Sequence, residues 1–235
     1  MKKFVFLSIA IAFAFAAQSQ TLTTIYQFKD PTAKKTRDRW MKWDTEQAEK
    51  VYAECSKILE FKLVNSRGQS RFTFIKDTAQ ADSKADSPWI KRMRRQIEDI
   101  TVYKNFVKDS YEYRVNLGLQ MAIVTDSLKA PDWIITAEKK HIGGYEVTRA
   151  RMPDDRNPKD TVVAWFAAAI PTFDGPLDYW GLPGLILELQ SPRAHLIAKE
   201  IRFEKRSTSI KPLDKRGVRM ITRNKFLALL TNRRH

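Results

Sequence analysis

The sequence predicts a mainly β protein with helices, of the α+β class, whose curved antiparallel sheet stays open as a half-barrel. Three observations lead there. Between Ile100 and Phe203 short segments rich in Val, Ile, Tyr, Phe and Trp alternate with turn residues, with no helix-length crossover between them; this is a meander and not a series of parallel βαβ units. Two earlier segments alternate in the same way. The 43% of hydrophobic and 11% of aromatic residues in a chain of 235 suffice for one core, in one domain or at most two, and exclude a disordered or low-complexity chain.

In chain order, Thr21 to Lys29 is the first predicted strand, with Leu22, Ile25 and Phe28 among Thr and Tyr and an end at Asp30-Pro31. Trp40, Trp43, Val51, Tyr52 and Cys55 then recur at helical spacing, which predicts a helical insertion near 37–56 restarting at an Asp44 cap. Phe61-Lys62-Leu63-Val64 and Arg71-Phe72-Thr73-Phe74 flank a turn containing Gly68 and predict a hairpin. Pro88 opens a second, basic insertion near 88–98, with Trp89, Met93 and Ile97 on its apolar side. Eight strands follow, at 100–107, 111–115, 121–124, 133–137, 145–151, 162–166, 185–189 and 196–203. The β-rich domain thus runs over 20–203, and a basic segment, 204–235, closes the chain with a short helix capped by Thr222.

The N-terminus carries the compartment. Lys2 and Lys3 precede an apolar run from Phe4 to Ala17 interrupted only by Ser8, and small and polar residues follow; this is the layout of a secretory signal peptide. The run falls short of the roughly 18 apolar residues that cross a bilayer as a helix. Ala17 and Ser19 occupy the two small positions of a cleavage site, so residues 1–19 are read as the leader and Gln20 as the mature start. No cysteine follows the run, which excludes lipid attachment there. The mature chain keeps 40 basic against 27 acidic residues, a net charge of +13.

The densest sequence feature is Ile170-Pro171-Thr172-Phe173-Asp174-Gly175-Pro176-Leu177-Asp178-Tyr179-Trp180-Gly181-Leu182-Pro183-Gly184-Leu185-Ile186. Pro171, Gly175, Pro176, Gly181, Pro183 and Gly184 restrict or free the backbone at short intervals and predict a rigid double turn that delivers the chain into Leu185, Ile186 and the strand beyond. A structural corner that pins register is one reading. In the other, Trp165, Phe173, Tyr179, Trp180 and Leu182 line the mouth of a groove.

The hexapeptide Gly181 to Ile186 resembles the signature of the GLPGLI family. Val124-Thr125-Asp126-Ser127-Leu128, Trp133, Ile142-Gly143-Gly144-Tyr145, Arg149-Ala150 and Trp165-Phe166 resemble its other recurrent stretches. The resemblance covers about 100–203. It implies a secreted protein of a Gram-negative envelope, of unassigned activity, with a fold similar to the half-barrel carriers that move lipoproteins or sense envelope stress. That analogy concerns fold, which does not fix function.

Reactive constellations are sparse, and no catalytic residue, metal ligand set or cofactor site is assigned. The lone Cys55 lies on an apolar stripe and excludes both a disulfide framework and a Cys-built zinc site. His141, His195 and His235 lack metal-ligand spacing. Asp174, Asp178 and Glu188 offer a carboxylate pair for hydrolysis, although turn capping accounts for the two aspartates. No phosphate-binding loop or dinucleotide fingerprint occurs.

From Arg202 to the end there are eleven Lys or Arg residues against Glu204 and Asp214. In an exported protein this field meets anionic lipid, lipopolysaccharide or acidic glycan, with Arg216, Arg219 and Arg223 as the contacts, and nucleic acid is not expected. Three functions remain open. One is a non-enzymatic envelope protein, in the periplasm or outer envelope, that binds an apolar or amphipathic ligand or a partner protein in a half-barrel groove. Another is a structural accessory of an outer-membrane transport or secretion system. The third is an envelope hydrolase using a carboxylate pair.

Expression in a secretion-competent Gram-negative host should yield periplasmic protein whose first residue, by N-terminal sequencing, is at or near Gln20. Intact Met1 in the cytosolic fraction would remove the compartment argument.

Overall fold

The computed structural model describes residues 20–29, 59–75, 99–117, 120–155, 157–192 and 194–232. The leader and both helical insertions expected from the sequence lie outside these residues, as does Cys55. The described chain forms twelve strands and one helix. The strands are β1 (Thr21–Lys29), β2 (Glu60–Ser66), β3 (Gln69–Phe74), β4 (Thr101–Asn105), β5 (Ser110–Asn116), β6 (Met121–Asp126), β7 (Ile134–Ile142), β8 (Tyr145–Asp154), β9 (Asn157–Ala167), β10 (Leu185–Gln190), β11 (His195–Glu204) and β12 (Arg219–Thr222); the helix is α1 (Arg223–Asn232).

All twelve strands join one sheet in the order β12-β6-β5-β4-β3-β2-β1-β11-β10-β9-β8-β7. Two meanders, β1 to β6 and β7 to β11, meet where β1 pairs antiparallel with β11. The sheet is open, with β7 at one edge and β12 at the other. Every pairing is antiparallel except β12 on β6. That last strand was not anticipated: in Arg219–Thr222 only Ile221 is buried, so the segment shows no apolar alternation.

Tight turns set the register. Arg67 and Gly68 both have positive φ, 52° and 69°, the mirror-image geometry whose twist suits a two-residue hairpin. Gly143 and Gly144 repeat it between β7 and β8. β7 runs on through Glu138-Lys139-Lys140-His141, beyond the expected end at residue 137, because an edge strand meets solvent and carries charge where an inner strand carries apolar side chains.

Residues opposite each other in adjacent strands share a face. Tyr26, Phe61, Leu63, Phe72, Val102, Tyr113 and Val124 therefore line one face, here the inner one, and belong to a single core that also takes in Leu189 and Leu196. The loop 168–184 covers this face. The opposite, outer face carries a second cluster in which Ile210 and Leu213 of the segment after β11 pack on Tyr103 and Ile123. The basic segment is thus a strap across the outer face, continuing into β12; α1 then returns to the inner core through Phe226, whose ring meets Tyr113 edge-on at 6.1 Å.

Gly184 enters β10 at φ 156°, and a Cβ there would stand 2.3 Å from the carbonyl oxygen of Ala167. Backbone cannot move aside as a side chain can. Gly184→Ala should cost about 2 to 4 kcal/mol, several degrees of Tm in a chain of this size. Gly143→Ala is the matched control, since φ is again positive but its Cβ meets nothing within 4 Å; it should cost only about 1 kcal/mol. Thermal melts of the two variants showing equal losses would refute the close-approach account.

Candidate functional site

The signature loop is anchored by a fully buried ion pair. Lys104, on the inner face of β4, places Nζ 2.6 Å from Asp174 Oδ1, with neither side chain exposed. The same ammonium donates to the carbonyls of Gly175 at 2.8 Å and Tyr179 at 3.5 Å, which uses its three protons. Asp174 also accepts from Gly175 N–H at 2.8 Å and from Asn65 Nδ2 at 3.1 Å. Breaking such a pair leaves a buried charge and costs roughly 3 to 5 kcal/mol. Close by, Tyr26 donates its hydroxyl to the Ile186 carbonyl at 2.6 Å. Burial first, and then the Asp174 charge, push its phenol well above the usual range.

Within the loop, Gly181 N–H donates to Phe173 O at 2.7 Å and Ile186 N–H to Asp174 O at 3.0 Å, so the chain doubles back on itself. Leu177 has φ 55°, a left-handed conformation that costs a branched residue roughly 1 to 2 kcal/mol. Its side chain is buried in the core, which offsets the strain.

Where the loop meets the end of the sheet it borders a cleft of about 370 Å³. Its apolar and aromatic lining is Tyr111, Leu128, Pro131, Met152, Tyr179 and Trp180. Trp180 and Leu128 are held in place. Trp133 Nε1 donates to the Trp180 carbonyl at 2.8 Å, Phe106 meets the Trp180 ring edge-on at 5.6 Å, and Leu128 N–H donates to Asp109 at 3.1 Å. Arg223, the first residue of α1, also lines the cleft; it binds Asp155 and Asp178 through one guanidinium nitrogen and lies 5.7 Å over the Tyr111 ring. Burial disfavours the Arg223 charge, but Asp178, Tyr111 and Asp155 outweigh it and hold its pKa above the ordinary value. Asp126, Asp132 and Lys129 complete the charged rim.

A second polar cluster sits on the outer face. Glu188 accepts from Gln190 Nε2 at 2.7 Å, contacts His195 Nε2 at 2.8 Å and is paired with Lys140, which stacks on Trp165 at 4.2 Å. Burial alone would raise the Glu188 pKa, but the bonds from His195, Lys140 and Gln190 bring it down to about 2. A carboxyl so acidic is no proton donor at neutral pH.

The five residues expected to line one groove are not brought together. Tyr179 and Trp180 reach the cleft, whereas Leu182 is fully buried in the core and Phe173 is 63% exposed elsewhere on the loop. Trp165 lies on the opposite face of the sheet because side chains alternate along β9. Of the motif residues, Pro171 and Pro183 face solvent while Gly175, Pro176, Gly184, Leu185 and Ile186 are buried and Gly181 half-buried. Of the arginines, Arg216 is 90% exposed and paired with Asp214, Arg219 is exposed on β12, and Arg223 turns into the cleft. Sequence reasoning missed Tyr111, Met152 and Asp155 as cleft residues. It did single out Val124 to Leu128 and Trp133, and these flank the cleft. Among the described residues no group of three or more His, Cys, Asp or Glu could hold a metal ion, and no helix is long and apolar enough to cross a membrane.

Comparison with known proteins adds a local match to one family model and a likeness of fold. A sequence-family model described as a protein of unknown function, Porph_ging, matches residues 152–188, a span that contains the signature loop and the β8 side of the cleft. No curated protein matches the chain. Among solved structures, PNGF-II in its C2 crystal form is similar with a TM-score of 0.50 at 15% identity, over 91% of this chain and 33% of that one. The P21 form gives 0.49 at 14% identity with the same coverage. The likeness to the C2 form is one of fold alone, and the chain spans about a third of that protein's length.

The Glu188 network has a pH consequence. Its folded pKa of about 2 lies below the ordinary 4.5, so its contribution is complete above about pH 4.5 and is lost as pH falls toward 2; it amounts to on the order of 3 kcal/mol. Melts of Glu188→Gln should start lower than the native protein at pH 6 and converge with it near pH 2.5. Parallel declines in the two proteins would place the acid sensitivity elsewhere.

Proposed function

We propose that this is a non-enzymatic, exported envelope protein that captures an amphipathic ligand, or an amphipathic segment of a partner protein, in the cleft beside the signature loop. The observation that carries this reading is the mixed lining of the cleft, apolar and aromatic at Tyr111, Leu128, Met152 and Trp180 and charged at Asp155, Asp178 and Arg223. Its volume of about 370 Å³ falls among small-ligand sites. The leader at residues 1–19 and the signature at Gly181 to Ile186 support the wider reading, a GLPGLI-type secreted protein whose open sheet serves as a half-barrel of the lipoprotein-carrier kind. In this chain the loop 168–184 fills the inner face, so the ligand position moves from beneath the sheet to the loop's edge.

The hydrolase alternative is weaker on chemical grounds. Asp174 is committed to Lys104, Asp155 and Asp178 share Arg223, and Glu188 stays ionised, so neither member of a pair is presented as a proton donor. The accessory-protein alternative finds support at β7, an edge strand on which Ile134 and Ile135 are 51% and 50% exposed; such an edge accepts another strand.

Titration with the neutral fluorophore N-phenyl-1-naphthylamine should show saturable one-to-one binding to the mature protein. Trp180→Ala should weaken it about tenfold or more while Phe173→Ala leaves it unchanged. Absence of saturable binding, or equal affinity in the Trp180 variant, would remove the cleft as the ligand site.

A further inference from the structure

The buried pair that anchors the signature loop holds an amine nitrogen against a carboxyl group in the arrangement of two reactants. Among the described residues it is the only ion pair with both side chains at 0% exposure, and Lys104 Nζ lies 2.6 Å from Asp174 Oδ1. Opposite Lys104 in the sheet stand Ser70 and Tyr111, both buried, so bulk water does not compete for either group. β4 fixes the lysine backbone, and the hydrogen bond from Ile186 N–H to Asp174 O at 3.0 Å fixes that of the aspartate.

The partners of the pair suit each atom to one part in an acyl transfer. An ammonium is not a nucleophile, and the first event is passage of a proton from Nζ to Oδ1 along their contact, which discharges both groups where charge is most costly. The two protons that remain on Nζ are held by the carbonyls of Gly175 at 2.8 Å and Tyr179 at 3.5 Å, which leaves the lone pair for the Asp174 carboxyl carbon. Asn65 Nδ2 donates to Oδ2 at 3.1 Å and stabilises the negative charge that grows there. Gly175 N–H, at 2.8 Å, steadies Oδ1. Reactants fixed in this way meet at an effective concentration on the order of 10⁵ M or more.

We infer that Lys104 and Asp174 condense in the folded protein into an amide cross-link between β4 and the signature loop. The Nζ–Cγ bond forms and the Cγ–Oδ1 bond breaks. Oδ1 departs as water, with the proton it took from the ammonium and a second that Nζ releases as the tetrahedral intermediate collapses. One N–H stays on the new amide, toward Gly175 O. The step balances without a co-reactant, and it replaces two buried charges by one neutral group. The bond concerns the anchor of the loop and does not depend on what the cleft binds.

Intact-mass spectrometry of the denatured mature protein tests this. Relative to its sequence, the native chain should be lighter by one water, whereas Lys104→Met and Asp174→Ala should carry their full masses. Mass reports the bond whether or not these variants fold. A tryptic digest of the native chain should pass over Lys104 and join the peptides that hold Lys104 and Asp174. In a denaturing gel the native chain should run ahead of Lys104→Met, because the chain between 104 and 174 stays closed. Three results would overturn the cross-link: full sequence mass in the native chain; loss of one water that persists in Lys104→Met, the mark of a succinimide at Asp174-Gly175; or loss of one ammonia with Lys104 joined to Asn65.

Discussion

Lys104 and Asp174 meet where neither is reached by solvent, and this contact governs both the packing of the inner face and the shape of the cleft. An ammonium or carboxylate at that depth without its counterion costs several kcal/mol. The loop therefore has few positions open to it: Asp174 must reach β4, and the carbonyls of Gly175 and Tyr179 must turn toward the same nitrogen. From that point Tyr179 lies against Trp133, at 6.3 Å between rings, and Trp180 is set at the cleft border. Asn65 of β2 completes the anchor by donating to Asp174 and to Thr172 Oγ1. Two meanders whose strands pair through β1 and β11 are thereby tied together a second time, through a loop of one and the inner strands of the other.

The C-terminal segment makes a comparable circuit with different chemistry. Thr208 N–H donates to Thr21 Oγ1 at 2.9 Å and to Ser66 Oγ at 3.2 Å, Leu213 N–H to Glu112, and β12 then adds to the sheet edge beside β6. Each bond takes a backbone group of the strap that would otherwise lack a partner against an apolar face. The basic residues of this segment are consequently distributed, not massed. Arg223 crosses to the cleft, Arg216 closes on its own Asp214, and Lys215 pairs with Glu112 on the sheet. Net charge read along the chain does not show this distribution because folding brings together residues far apart in sequence.

Much of the β framework was legible before folding is considered. β1 coincides with the expected segment, and β2 and β3 extend the predicted hairpin by a residue or two, since alternation of buried and exposed side chains is a local property with period two. The ends of β7 and β9 were not, because charged and polar residues at a solvent-facing edge carry no apolar signal. The site was legible only in part. Tyr179 and Trp180 were found through the density of glycine and proline around them, but Trp165 and Leu182 were grouped with them by nearness in sequence. A strand turns alternate residues to opposite faces, and a turn buries one neighbour while exposing the next.

An extended, mostly antiparallel sheet, a leader-like N-terminus and a conformationally restricted loop before Leu185 all follow from the linear chain, because periodicity, apolar run length and the φ restrictions of Pro and Gly act within a few residues. The partners of Asp174, Asp178, Glu188 and Arg223 follow only from the folded chain. These are contacts between residues separated by tens of positions, and a charge carries no local pattern that names its counterion. Coulombic pairing depends on distance and burial in three dimensions, and both are set by which strands lie side by side.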